Sequence, residues 1–163
     1  MQFESPAPNR YYRAMPVEIT RKGAGKKLPH RNLKKIAQSI LALVNQAEAE
    51  LSLVLVGNAE IKKLNAQYRH KDYATDVLSF PIDGTLAAAN RLLGDVIISV
   101  EKAREQAKER GGTGNEEVVT LLIHGIVHLL GYDHERSAKD ARVMKRLENK
   151  VYRQLCEQGL IKV

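Results

Sequence analysis

Residues 15 to 21, MPVEITR, alternate apolar and polar side chains as a half-buried strand does, and Gly23 and Gly25 close the run. From about Pro29 to Ala47 the spacing turns helical, with Leu33, Ile36, Ile40, Leu41, Leu43 and Val44 on one face. LSLVLVG at 51 to 57 is almost wholly apolar, which predicts a strand covered on both faces. Asn58 is placed to cap a short helix, AEIKKLNAQYR, in which Ile61, Leu64 and Tyr68 recur at helical spacing. A polar connection over 70 to 75 leads to TDVLSF, and after IDGTLAAANR, of loop character, LGDVIIS at 93 to 99 reads as a further strand. Two short strands with such a connection suit an antiparallel pair.

The C-terminal half is helical. A charged helix over 100 to 110 stops at Gly111-Gly112. The next, from about Asn115, EEVVTLLIHGIVHLL, is apolar on nearly every side after Glu117 and belongs in the middle of a domain. A last helix, about 137 to 158, buries Met144, Leu147, Val151 and Leu155. The order β, α, β, α, β, β, α, α, α predicts an α+β fold, a small mixed four-stranded sheet packed with about five helices. At 163 residues, without repeat or linker, one domain is expected over 15 to 163, preceded by a flexible tail at 1 to 14.

Composition narrows the function. With 44% hydrophobic and 28% charged residues the chain has what a packed core needs. Aromatics are 5% and tryptophan is absent, so base stacking is not expected as the main mode of recognition. The net charge of +7 and a pI near 9.5 favour polyanionic partners. Between Glu18 and Glu48 there is no acid, while Arg21, Lys22, Lys26, Lys27, Arg31, Lys34 and Lys35 fall there. The sole cysteine, Cys156, allows no internal disulfide, and no disulfide-linked partner is expected. With no apolar leader and no run of 18 apolar residues, a cytoplasmic protein without membrane contact is expected.

The chemistry is concentrated in HGIVHLLGYDH, residues 124 to 134. On a helix His124 and His128, four apart, share a face and can bind one metal ion. Gly131 can turn the chain through a left-handed conformation and bring His134 back as third ligand. Three neutral nitrogens leave a coordination position for water, the pattern of a catalytic zinc. The spacing is that of the metzincin metal-binding helix, H-E-x-x-H-x-x-G-x-x-H, except that Gly125 stands where the general-base glutamate belongs.

These residues resemble the YbeY-type endoribonucleases, metal-dependent ribosomal RNA maturation factors of bacteria. The resemblance rests on LNAQYRHKDYATDVLSFP at 64 to 81, LGDVIIS at 93 to 99 and HGIVHLLGYDH at 124 to 134. It implies one zinc ion per chain held by His124, His128 and His134, with another divalent metal an alternative. It also implies a catalytic domain that processes small-subunit ribosomal RNA in maturation and quality control, with that RNA and the small ribosomal subunit as partners. The family's functional arginine falls on Arg69, which joins His124 as a catalytic candidate. A forked guanidinium suits the charge gathered on a phosphodiester transition state.

Other candidates are open between function and structure. Asp76 and Asp95 are charges in or beside strands that line the site or serve capping and turns. Asp133 and Glu135 flank His134 and could orient a ligand or accept a proton. His70 and Lys71 could contact phosphate, and the basic stretch over 21 to 35 could add sequence-independent affinity for RNA. The leading expectation is a zinc-dependent, single-strand-directed endoribonuclease. Its rivals are a ribosome-assembly RNA-binding factor with a mainly structural metal site and a metzincin-like peptidase, against which Gly125 and the basic charge both count.

Overall fold

Four strands, β1 (Val17–Arg21), β2 (Glu50–Val56), β3 (Val77–Pro81) and β4 (Leu92–Ser99), make one sheet in the order β1-β2-β4-β3. β1, β2 and β4 are parallel, and β3 pairs antiparallel with β4. The mixed sheet and the antiparallel pair are those the apolar pattern predicts. The computed structural model describes residues 17 to 82 and 91 to 162, so the expected tail at 1 to 14 and most of the expected loop IDGTLAAANR lie outside the described residues.

Alternation along the strands separates two apolar layers. Val17, Leu51, Leu53, Leu55, Val96 and Ile98 enter the main core. Three helices supply its other side: α1 (Leu33–Leu43), α4 (Gly114–Leu129) and α5 (Ala138–Glu157). Val54, Val56, Ile97 and Leu78 face the opposite way, against Ile61 and Leu64 of α2 (Asn58–Arg69). β2 is thus covered on both faces, as its apolar sequence requires. α3 (Val100–Arg110) follows β4 directly and adds Val100 and Ala103 to the main core.

Two local features depart from the sequence pattern. Asn58 does not cap α2; it is the helix's first residue, and Glu101 Oε1 accepts its backbone N–H at 2.9 Å. The Asn58 side chain instead accepts from the Ser99 hydroxyl at 2.7 Å, because β2 and β4 end side by side and bring the two helix starts together. The second departure is a short 3-10 helix, Gly23–Lys27, where only a loop is expected. Lys22 N–H donates to Leu55 O, and Gly25 presses so close to that carbonyl that a Cβ would collide with it. Arg104 of α3 donates to Lys27 O, which ties the basic segment to α3.

The helix that bears the histidines is well defined at both ends. Thr113 and Glu116 form a capping box at its start, each side chain bonding the other's backbone N–H at 3.2 Å. After Leu130 the chain reverses at Gly131, whose φ of +96° a glycine adopts freely. Ser137 then caps α5 through Asp140 N–H at 3.0 Å.

Candidate metal centre and its cleft

One turn of α4 separates His124 from His128, and their Nε2 atoms lie 3.1 Å apart. The Gly131 turn returns His134 over the helix end, with its ring centroid 5.3 Å from that of His124 and 5.2 Å from that of His128. Each residue offers one nitrogen, and the three nitrogens lie within 4.8 Å of one another. The structure thus brings together the three histidines the sequence singles out.

Glu148 on α5 completes the arrangement. Its Oε1 is 2.5 Å from His124 Nδ1, so the ring's proton sits on Nδ1 and Nε2 faces the other histidines. Burial, and then the neighbouring His124 and His134, hold the His128 pKa below the usual histidine value, although the Tyr132 backbone and Asp133 oppose the shift. A neutral imidazole is the form that binds a metal. Nitrogen donors, an oriented tautomer and a carboxylate behind one ligand fit a zinc-type ion.

Gly125 has a packing explanation. A Cβ there would lie 2.7 Å from Val96 Cγ1 and 3.2 Å from Ser79 Oγ, so α4 meets the sheet through this glycine. Ser79 Oγ also donates to Gly125 O at 3.0 Å. A side chain at 125 would point into the sheet, and the position where the metzincin pattern has its base is occupied by β3 and β4.

Beside the histidines opens a cleft of about 310 Å³. His124, His134, Glu148 and Lys145 are among its lining residues, as are Asp76, Gln106, Arg110 and Glu117, with Leu121 and Met144 adding apolar surface. Asp76, just before β3, accepts from Val77 N–H at 2.8 Å through Oδ1 and from Gln106 Nε2 at 3.0 Å through Oδ2. Glu117 is only 6% exposed and pairs with Arg110 Nη1 at 3.0 Å. Burial raises its pKa above the usual glutamate value; Arg110 opposes the shift and Asp76 adds to it.

Other sequence candidates fall elsewhere. Arg69 is the last residue of α2, exposed and not among the residues lining the cleft. His70 ends that helix with φ +57°, and Lys71 N–H donates to Asn65 O. Asp133 accepts from Glu135 N–H at 2.8 Å and pairs with Arg136 at 3.6 Å, while Glu135 is exposed. Asp95 neighbours Val96 in β4 and so faces the α2 side, away from α4. In the basic segment Lys22, Lys26, Lys27, Arg31 and Lys35 are exposed, and Arg21 and Lys34 half-buried. None of the seven lines the cleft.

Glu148, Glu117, Gln106 and Arg110 are not singled out by the sequence reading. For two of them a signal exists. Glu148 interrupts the buried stripe Met144, Leu147, Val151, and Glu117 sits seven residues before His124, on the same face of an otherwise apolar helix. Gln106 and Arg110 lie in a charged helix that offers no contrast.

What α4 and the turn after it build is a candidate metal centre beside a cleft, in an α+β fold. The model of the Endoribonuclease YbeY family matches residues 18 to 156, and the chain belongs to that family. It is 46% identical over 142 residues to Endoribonuclease YbeY of Sulfurihydrogenibium sp. (strain YO3AOP1), covering 86% of this chain and 93% of that one. Endoribonuclease YbeY of Aquifex aeolicus (strain VF5) is 42% identical over 130 residues, 80% of this chain and 86% of its own. The solution structure of TM1509 from Thermotoga maritima is similar with a TM-score of 0.62 at 29% identity, over 88% of this chain and 91% of the other.

Proposed function

We propose that the chain is a zinc-dependent endoribonuclease that cleaves single-stranded regions of RNA, in the maturation and quality control of small-subunit ribosomal RNA. The observation behind this reading is the convergence of His124, His128 and His134, with Glu148 behind His124 and a cleft that His124 and His134 line. Zinc held by that set would supply a Lewis acid able to polarise a phosphoryl oxygen and to acidify a water. Glu148 keeps the His124 proton on Nδ1 and its Nε2 free for the ion. Arg69, at the exposed end of α2, is assigned to the scissile phosphate, where its forked guanidinium would offset the charge that grows. Lys26, Lys27 and Lys35 add affinity for the backbone without reading sequence. No helix among the described residues is long and apolar enough to cross a membrane.

The test is cleavage of single-stranded ribosomal RNA fragments by the full chain after its metal content is measured, with casein as the control. Cleavage is expected to stop on chelation, to return with zinc, and to be lost in His124→Ala and strongly reduced in Arg69→Ala. RNA cleavage that survives both substitutions, or casein cleaved in its place, overturns the proposal.

A further inference from the structure

The end of the cleft away from the histidines holds groups that they leave unused. Glu117 shares a face of α4 with His124 two turns away, about 10 Å along the helix axis. Its carboxylate receives Arg110 Nη1 on Oε1, which keeps a second lone pair, and Oε2 keeps both of its own for a ligand. At the same end Asp76 fixes the Gln106 amide. Oδ2 accepts from the amide nitrogen, and a reversed amide would set two oxygens against each other, so the carbonyl is the end without a partner. A buried carboxylate, a guanidinium beside it and an unmatched carbonyl occupy a cleft of about 310 Å³, the scale of a small-ligand site.

The inference rests on the ribonuclease reading for the class of ligand. With the phosphate of an RNA chain at the histidines, Glu117, about 10 Å away along the helix axis, would lie where the pairing edge of the attached base can reach. A carboxylate there takes neighbouring N–H donors, and the N–H groups of Arg110 that Glu117 does not use can take an acceptor next to them. Among the four bases only guanine presents that set, N1–H and the N2 amino group side by side with O6 adjacent. Adenine and cytosine place a ring acceptor beside their amino group, and uracil flanks its single N–H with carbonyls. Each of these turns at least one acceptor toward the carboxylate.

We propose that Glu117 and Arg110 form a guanine-recognition subsite that reads the Watson–Crick edge of a nucleotide adjoining the cleaved bond. That edge is free only in unpaired RNA, so the subsite also makes the enzyme single-strand directed.

The test has a binding arm and a cleavage arm. Guanosine, adenosine, cytidine and uridine 5′-monophosphates are titrated onto the metal-free full chain and followed by amide NMR shifts. The guanosine nucleotide is expected to bind at least tenfold more tightly than the others. Glu117→Gln, of the same shape, and Arg110→Gln, at an exposed side chain, are expected to remove that preference. In parallel the zinc-loaded protein is given oligonucleotides that vary at the two nucleotides flanking the bond, with a guanine preference expected in kcat/KM. Equal binding of all four nucleotides, or a preference that survives both substitutions, overturns the subsite. Cleavage without base preference overturns it while the ribonuclease reading stands. Selective guanosine binding without cleavage of any RNA supports the subsite and overturns the ribonuclease reading instead.

Discussion

Glu148 Oε1 lies 2.5 Å from His124 Nδ1, across the packing of α5 on α4. The carboxylate is 15% exposed, so water competes weakly for it. Glu148→Ala is expected to weaken metal binding by about 10- to 100-fold, since it frees the ring to rotate and change tautomer. Competition against a chromophoric chelator measures this. Unchanged affinity would mean that packing alone positions His124.

Gly125 joins the helix to the sheet. In Gly125→Ala the new methyl starts 2.7 Å from Val96 Cγ1, and the expected loss of stability is about 1–3 kcal/mol. Urea unfolding is the measurement. In a Val96→Ala background the same substitution should cost less, because the atom it strikes has gone; equal costs in both backgrounds would contradict the contact.

Glu117 makes stability depend on pH. Its folded pKa is raised above the unfolded value of about 4.3, so the fold favours the protonated acid and resists the ionised one. Whatever stability the protonated form contributes is fully present below about pH 4 and is lost as pH rises through the folded value. Glu117→Gln never ionises. Relative to wild type, the variant should therefore gain stability as pH rises from about 4 through the folded value, measured by chemical denaturation over a pH series. A difference that stays flat, or moves the other way, would contradict the burial argument.

Arg69→Lys separates shape from charge. The ammonium keeps the attraction to RNA but loses the fork, so kcat is expected to fall by on the order of 10²-fold while KM changes little. The dependence of binding on salt should stay as in wild type. A loss confined to KM would make Arg69 an affinity residue only.

Periodicity and punctuation made most of the architecture readable. The order of the elements, the antiparallel β3 and β4, and the ends of α3 and α5 follow from apolar spacing with Ser137 and Gly111-Gly112 as boundaries. α1 is shorter than its apolar stripe, because Asn45 turns left-handed at φ +60° and the stripe continues past the helix. The three histidines were legible because their spacing is itself a geometry. What escaped was contact between distant segments: Glu148 reaches His124 over 24 residues, and Gln106 reaches Asp76 over 30. Neither pair has a local pattern; the packing of α5 on α4 creates the first, and that of α3 beside the start of β3 the second. The role of Gly125 was hidden likewise, since Val96 and Ser79 lie on strands far from it in sequence.

The three nitrogen donors come from unlike mechanical surroundings. His124 and His128 are anchored in a capped helix of the main core, whereas His134 sits on the exposed turn from Gly131 to Ser137. Losing the ion should therefore undo only that turn, and the apoprotein should remain folded, unlike domains whose fold is assembled by their zinc. Chelation is expected to leave the far-UV circular dichroism unchanged while Tyr132 and His134 broaden in NMR spectra. Metal exchange is then expected to follow movement of the Gly131 turn and not unfolding of the domain.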